Sequence, residues 1–319
     1  MSRKLVSVLI VVGAFAFLFS LPSAAKDKIK VIIDTDTAMG YVGHDVDDGL
    51  MLIMALNSPE LEIVGITAAW GNHRQRKTYA KAVEILEAAG REDIPCLRGA
   101  SGPHDFGKET PASRFIRQTV LDHPGKITIL AVGTLTNVAT AMTADIDVAP
   151  SIKRVVSMGG TLAPPGKWPK WAIMDLNYGA DVRSARTVLG SGVEFHMVHS
   201  ALCLQTPVTR QEYERMVNEA PFMRDMIVEQ TRSWWAIKSV LPSIPGKPSF
   251  TPWDVTALAY LLHPEWFHDQ WIYADIDHEG WGYKTVVVYE KDLPPGRGIN
   301  APSQIHNKKA FWDWFFKTI

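Results

Sequence analysis

The chain is 319 residues long and 46% hydrophobic, with 33 basic against 34 acidic residues and a formal net charge of -1. That length and hydrophobic share can bury a large core, which excludes a disordered or fibrous chain. The balanced charge provides no general field for nucleic acid or anionic lipid, so a small neutral or weakly charged ligand is expected.

In chain order, the first 25 residues stand apart. Arg3 and Lys4 precede an apolar run from Leu5 to Leu21, and the small residues Ser23-Ala24-Ala25 follow. This is the three-part pattern of a secretory signal peptide. The expectation is a cleaved leader over 1–25, a periplasmic or secreted protein free of the membrane after cleavage, and one domain over 26–319. An uncleaved anchor is the alternative, because about 17 apolar residues approach the bilayer-spanning minimum.

Lys30-Val31-Ile32-Ile33 is a β-branched run that predicts a buried strand ending on Asp34. Gly49 to Leu56 has helix-forming composition and stops at Asn57-Ser58-Pro59. Leu61 to Thr67 reads as a second strand with Gly71-Asn72 past its carboxyl end, and Thr78 to Ala89 as a helix stopped by Gly90. Ile127 to Val132, Ile152 to Met158 and Val193 to Val198 read as strands, with a helix over Asn137 to Met142. Pro207 to Val240 reads as largely helical, and proline-rich loops follow over 242–252 and 293–302. The alternation predicts an α/β fold, a single domain with a mainly parallel central sheet flanked by helices. Ligands in such folds sit outside the carboxyl ends of the strands.

Asp34, Asp36, Asp47 and Asp48, with Asp45 beside them, crowd the exit of the first predicted strand. Carboxylates so close repel one another unless a cation neutralises them. No Cys/His cluster has zinc spacing, so the expected ion is a hard one held by oxygen. A solvated acidic loop, with Asp47 or Asp48 capping a helix, is the plainer alternative. Cys96 and Cys203 are the only cysteines, and sequence leaves their pairing open.

These residues resemble the nucleoside N-ribohydrolases of the inosine-uridine-preferring type, whose opening motif is a strand followed by D-x-D-P-G-x-D-D. Here it stands as Ile33-Asp34-Thr35-Asp36, a longer loop, then Asp47-Asp48-Gly49. Ile66-Thr67-Ala68-Ala69-Trp70-Gly71-Asn72, Val132-Gly133-Thr134-Leu135-Thr136-Asn137, Met158-Gly159-Gly160, the stretch Asp175-Leu176-Asn177 with Asp181, and Trp253-Asp254-Val255-Thr256-Ala257 resemble the family's later segments in the same order. The resemblance implies hydrolysis of a nucleoside to free base and ribose, in nucleoside salvage, by a homodimer or homotetramer. It implies Ca2+ held by Asp36, Asp48, Asp254 and the backbone carbonyl of Val132, with Asp36 as the base that deprotonates the attacking water. Asp47, Asn72, Asn177 and Asp254 would hold ribose hydroxyls, with Met158 and Asp175 also at the substrate and Asp34 in support.

Two departures stand out. Many members carry a histidine before the distal aspartate to protonate the leaving base; Trp253 stands here, as in a purine-preferring branch where an indole stacks on the base. A large core residue is the alternative reading of Trp253, and Trp70, Trp168, Trp171 and Trp281 are candidates for a second stacking wall. The second departure is the segment Thr37 to Val46, which replaces a three-residue turn between two site aspartates and contains His44, either a surface histidine or a substitute acid.

Two rival readings compete. Asp34-Thr35-Asp36-Thr37-Ala38 nearly fits the D-x-D-x-T motif of haloacid dehalogenase-type phosphatases, with Asp34 as nucleophile and magnesium as the metal. A non-catalytic nucleoside or ribose receptor of the same fold is the other.

Overall fold

The structure, a computed structural model, describes residues 27–163, 175–243, 245–278, 285–290 and 298–319. The predicted leader and Trp168, Trp171 and Trp281 lie outside the described residues. Strand β1 (Ile29–Thr35) is buried over its last five residues and leads through the acidic segment into α1 (Asp47–Leu56). Then come β2 (Leu61–Ala68), α2 (Gln75–Ala88), the short β3 (Cys96–Arg98) and α3 (Pro111–Asp122). Thr110 and Ser113 form a reciprocal cap at the start of α3, and Pro111 takes a first-turn position that needs no N–H donor.

The repeat continues through β4 (Thr128–Ala131), α4 (Thr136–Ala144), the single turn α5 (Val148–Ser151) and β5 (Arg154–Met158). Past the two-residue β6 (Leu162–Ala163), Asp181 caps α6 (Val182–Leu189), which precedes β7 (Phe195–Val198). The predicted helical stretch divides into α7 (Ser200–Cys203), β8 (Val208–Thr209), α8 (Arg210–Glu219) and α9 (Arg224–Val240). Then follow β9 (Ser249–Phe250), α10 (Trp253–Leu262), β10 (Phe267–His268), β11 (Trp271–His278), β12 (Thr285–Glu290), β13 (Ile299–Asn300), β14 (Gln304–Ile305) and α11 (Lys308–Thr318).

The main sheet runs β3-β2-β1-β4-β5-β7-β13-β11-β12-β6, parallel from β3 to β13 and turning antiparallel where β11 joins β13 and β12. This is the mainly parallel, helix-flanked single domain expected from the sequence. One buried cluster includes Leu50, Met54, Val255, Leu258 and Phe311 from α1, α10 and α11. The other joins Ile116, Val138 and Ala185 from α3, α4 and α6 to the alternate residues of β1 and β4. From β1 the chain moves outward to β2 and β3, then returns to β4 on the other side. That reversal makes the β1/β4 carboxyl ends a topological switch point, where such sheets bind ligands.

Candidate active site

A cavity of about 220 Å³ opens at that switch point, with a floor formed by Asp36, Asp47, Asp48, Asn72, Val132 and Asp254. Its remaining wall takes in Asp45, Met158, Gly160, Thr161, Asp175, Leu176, Asn177, Ser200, Lys238 and Trp253. Every residue the sequence assigned to metal, substrate or base therefore reaches one cavity. Asp34 does not: it lies behind the floor, fully buried, its Oδ1 accepting from Thr67 Oγ1 and from Asn137 Nδ2 at 2.9 Å. Burial pushes its carboxyl up to about 7 against those two bonds. The phosphatase reading fails here, because it needs Asp34 within reach of a phosphoryl group.

Local structure sets the four floor acids. Asp36 is the first residue past β1, and Asp47 and Asp48 form the first turn of α1. Asp254 lies in the first turn of α10, so two helix N-termini, with their partial positive charge, converge on the acids. Thr35 Oγ1 donates to Asp48 Oδ1 at 2.8 Å and the Asp36 amide to the same oxygen at 3.3 Å. The Asp254 amide donates to Asp47 Oδ2 at 2.9 Å, and the Asn72 amide to Asp36 Oδ2 at 2.6 Å. Glycine is required beside Asp36: a Cβ on Gly71, at φ +149°, would lie 2.0 Å from Asp36 Oδ2.

Asn72 holds the insertion rather than standing free. Its Nδ2 donates to Asp45 O at 3.1 Å and Asp48 Oδ2 at 3.3 Å, while Oδ1 accepts from the Asp45 amide at 3.2 Å. Asn177 Nδ2 donates to the carbonyls of Val132, at 2.8 Å, and Met158, at 3.0 Å. Asp175 is a backbone clamp, accepting from the amides of Gly160, Asn177 and Tyr178 at 2.9 to 3.0 Å. Trp253 is half-buried, packing on the core as one reading expected and also lining the cavity. Trp70 instead spends its indole N–H on Thr136 Oγ1 at 3.1 Å and is not part of the wall.

Sequence reading did not single out Thr161, Ser200 or Lys238. The first two follow β5 and β7 closely, where the strand-end rule points. Lys238 comes from α9, with its ammonium 4.6 Å from the Trp234 ring centroid, and no sequence signal marks it. Cys96 and Cys203 are both free.

Burial, then mutual repulsion, drives the carboxyls of Asp36, Asp47 and Asp254 well above the ordinary range, and burial raises those of Asp45 and Asp48. Oxygens of Asp47, Asp48 and Asp254 lie within 4.8 Å of one another. Crowded, buried, oxygen-only donors beside the Val132 carbonyl on the same cavity suit a hard divalent ion. Asp36 adjoins this trio through Asp48.

Residues 31–313 match the family model described as inosine-uridine preferring nucleoside hydrolase. A probable uridine nucleosidase 2 of Oryza sativa subsp. japonica is 28% identical over 269 residues, 75% of each chain. The pyrimidine-specific ribonucleoside hydrolase RihB of Shigella sonnei is 27% identical, covering 79% of this chain and 84% of its own. Among solved structures, the plant nucleoside hydrolase PpNRh1 superposes with a TM-score of 0.76 at 21% identity, over 91% of this chain and 98% of its own.

Proposed function

The chain belongs to the inosine-uridine preferring nucleoside hydrolase family, and from that premise we propose that its cavity cleaves the N-glycosidic bond of ribonucleosides with calcium as cofactor. The observation that carries this reading is the convergence of four buried aspartates, from β1, α1 and α10, on one cavity beside an indole.

Asp36, Asp48, Asp254 and the Val132 carbonyl would hold the ion. Calcium, when bound, supplies the positive charge that neutralises the acids and makes a nearby water easier to deprotonate. Asp36, fixed by the Asn72 amide and walled by Gly71, takes the proton of the water that attacks the anomeric carbon. As the carbon–nitrogen bond breaks, positive charge grows on the ribosyl ring, and the surrounding carboxylates stabilise it. Asp47 and Asp254 would take ribose hydroxyls. Asn177, with both amide hydrogens committed to carbonyls, has its Oδ1 left to accept from one.

Trp253 on the cavity wall supports a purine preference, through stacking on the leaving base. The two curated relatives carry uridine and pyrimidine in their names and favour the second reading, a pyrimidine preference. The leader pattern in residues 1–25 supports action in the periplasm or outside the cell. Purified protein incubated with calcium and inosine, adenosine, guanosine or uridine should release base and ribose. No release from any of the four, with phosphate freed from phosphomonoesters instead, overturns the reading.

A further inference from the structure

The segment between Asp36 and Asp47 is built as a brace. Its first part is interior: Ala38 and Met39 are fully buried, and a Cβ on Gly40 would meet the Gln230 side chain on α9 at 3.0 Å. Its second part docks on the loop after β2. The His44 ring stacks on His73 with centroids 4.1 Å apart and planes 10° apart, and Tyr41 meets the same His73 ring edge-on at 5.0 Å. Lys77 and Lys81 of α2 place their ammonium groups 5.1 and 5.4 Å from the Tyr41 centroid.

The brace converges on one residue. His44 Nδ1–H donates to the Asn72 carbonyl, and the Asp45 backbone exchanges two hydrogen bonds with the Asn72 side chain, at 3.2 and 3.1 Å. Asn72 is thus gripped at its carbonyl and at both ends of its amide. Its one remaining polar group, the backbone N–H, donates to Asp36 Oδ2 at 2.6 Å. A charge-assisted bond of that kind fixes a carboxylate more firmly than a neutral one. On the hydrolase reading, Asp36 Oδ2 belongs to the base that must face the attacking water.

We propose that His44 is a positioning residue for Asp36, acting through the backbone of Asn72, and that Tyr41, His44 and Asp45, but not the exposed Val42, brace the site from within the inserted segment. The proposal rests on the hydrolase reading for its effect on turnover. His44 needs no contact with substrate for this role, which separates it from a substitute acid. Misplacing a catalytic group by about 1 Å can cost turnover roughly a hundredfold, and binding suffers less when ribose is held mainly by other groups.

The test compares His44→Ala, His44→Asn and Val42→Ala in the full-length protein with calcium, using inosine and uridine. Asparagine can put its Nδ2 where the imidazole Nδ1 stands, and Val42, 76% exposed, serves as the control in the same segment. His44→Ala should lose roughly ten- to hundredfold in kcat with KM held within about threefold, equally for both bases. His44→Asn should recover most of the loss, and Val42→Ala should match the wild type. Hydrogen exchange at the Asn72 amide should quicken in His44→Ala and return toward wild type in His44→Asn. Unchanged kcat in His44→Ala, no recovery in His44→Asn, or unchanged exchange overturns the proposal. A wild-type protein that turns over no nucleoside sinks the hydrolase reading instead, and the exchange result then decides on its own whether His44 orders Asn72.

Discussion

The backbone N–H of Asp254 donates to Oδ2 of Asp47 at 2.9 Å, joining the first turns of α10 and α1 across 207 positions of sequence. That bond keeps the Asp47 carboxylate beside those of Asp48 and Asp254. The chain has spent long-range structure on holding like charges together, which a bound cation makes favourable.

Calcium should therefore register as stability. At a free concentration a hundredfold above Kd, the native state gains about 2.7 kcal/mol. The melting temperature is expected to rise with calcium and fall on chelation, with turnover lost and restored in step. Asp254→Asn should weaken calcium binding by roughly tenfold or more. Melting and turnover indifferent to calcium would refute the ion site.

Asp36→Asn is expected to cut kcat by roughly 10²- to 10⁴-fold, the range for a lost general base. The same change removes one of the mutually repelling buried carboxyls, so the metal-free protein should melt higher than the wild type. Substantial residual turnover contradicts the role given to Asp36.

Gly71→Ala tests the packing around that base. The added methyl would sit 2.0 Å from Asp36 Oδ2, at a φ of +149° that side chains rarely adopt. Expected losses are about 1–3 kcal/mol in stability and most of kcat. A variant as stable and as active as the parent would show that Asp36 stands elsewhere during turnover.

Trp253→Ala separates stacking from packing. If the indole stacks on the base, inosine turnover should drop roughly ten- to hundredfold and uridine much less. Equal losses on the two substrates assign Trp253 to the core alone.

His199 supplies a pH dependence. It is buried, its Nε2–H donates to the Pro302 carbonyl at 2.9 Å, Nδ1 has no hydrogen-bond partner among the described residues, and burial lowers its pKa from 6.5 to about 4. The unfolded chain takes the proton first on acidification. The neutral ring's contribution is thus complete above pH 6.5 and is lost as the pH falls toward 4, in total about 3 kcal/mol. Urea unfolding at pH 7 and 4.5 should show a smaller stability difference in His199→Gln than in the parent. The buried aspartates shift in the opposite sense but are common to both proteins. An identical pH difference in the two rules the assignment out.

Much of this was legible in the chain. The parallel strands β1, β2, β4, β5 and β7 are rich in apolar and β-branched residues, and Asp36 stands just where β1 ends. Less was legible where partners come from afar. The Asn72 side chain looks like any asparagine in a G-N turn; only the fold commits its amide hydrogens, to Asp45 in the inserted segment and to Asp48 on α1. Asp34 and Asp36 are two residues apart, yet one is still inside β1, paired across to Thr67, and the other is just beyond it. A D-x-D motif does not encode that step. The strands β6 and β13 escaped because each is two residues long, below any periodicity.

The helices α1 and α10 lie against each other, and nearly every side chain on both is buried. The spacing of the acids at their tips is therefore set by hydrocarbon, through residues such as Leu50, Met54, Val255 and Leu258 that never touch a ligand. A gauge of this kind has a single adjustment. If the seam slips on warming or by a distant substitution, the ion grip and the sugar grip loosen together, and the protein goes from competent to silent in one event while its sheet still stands.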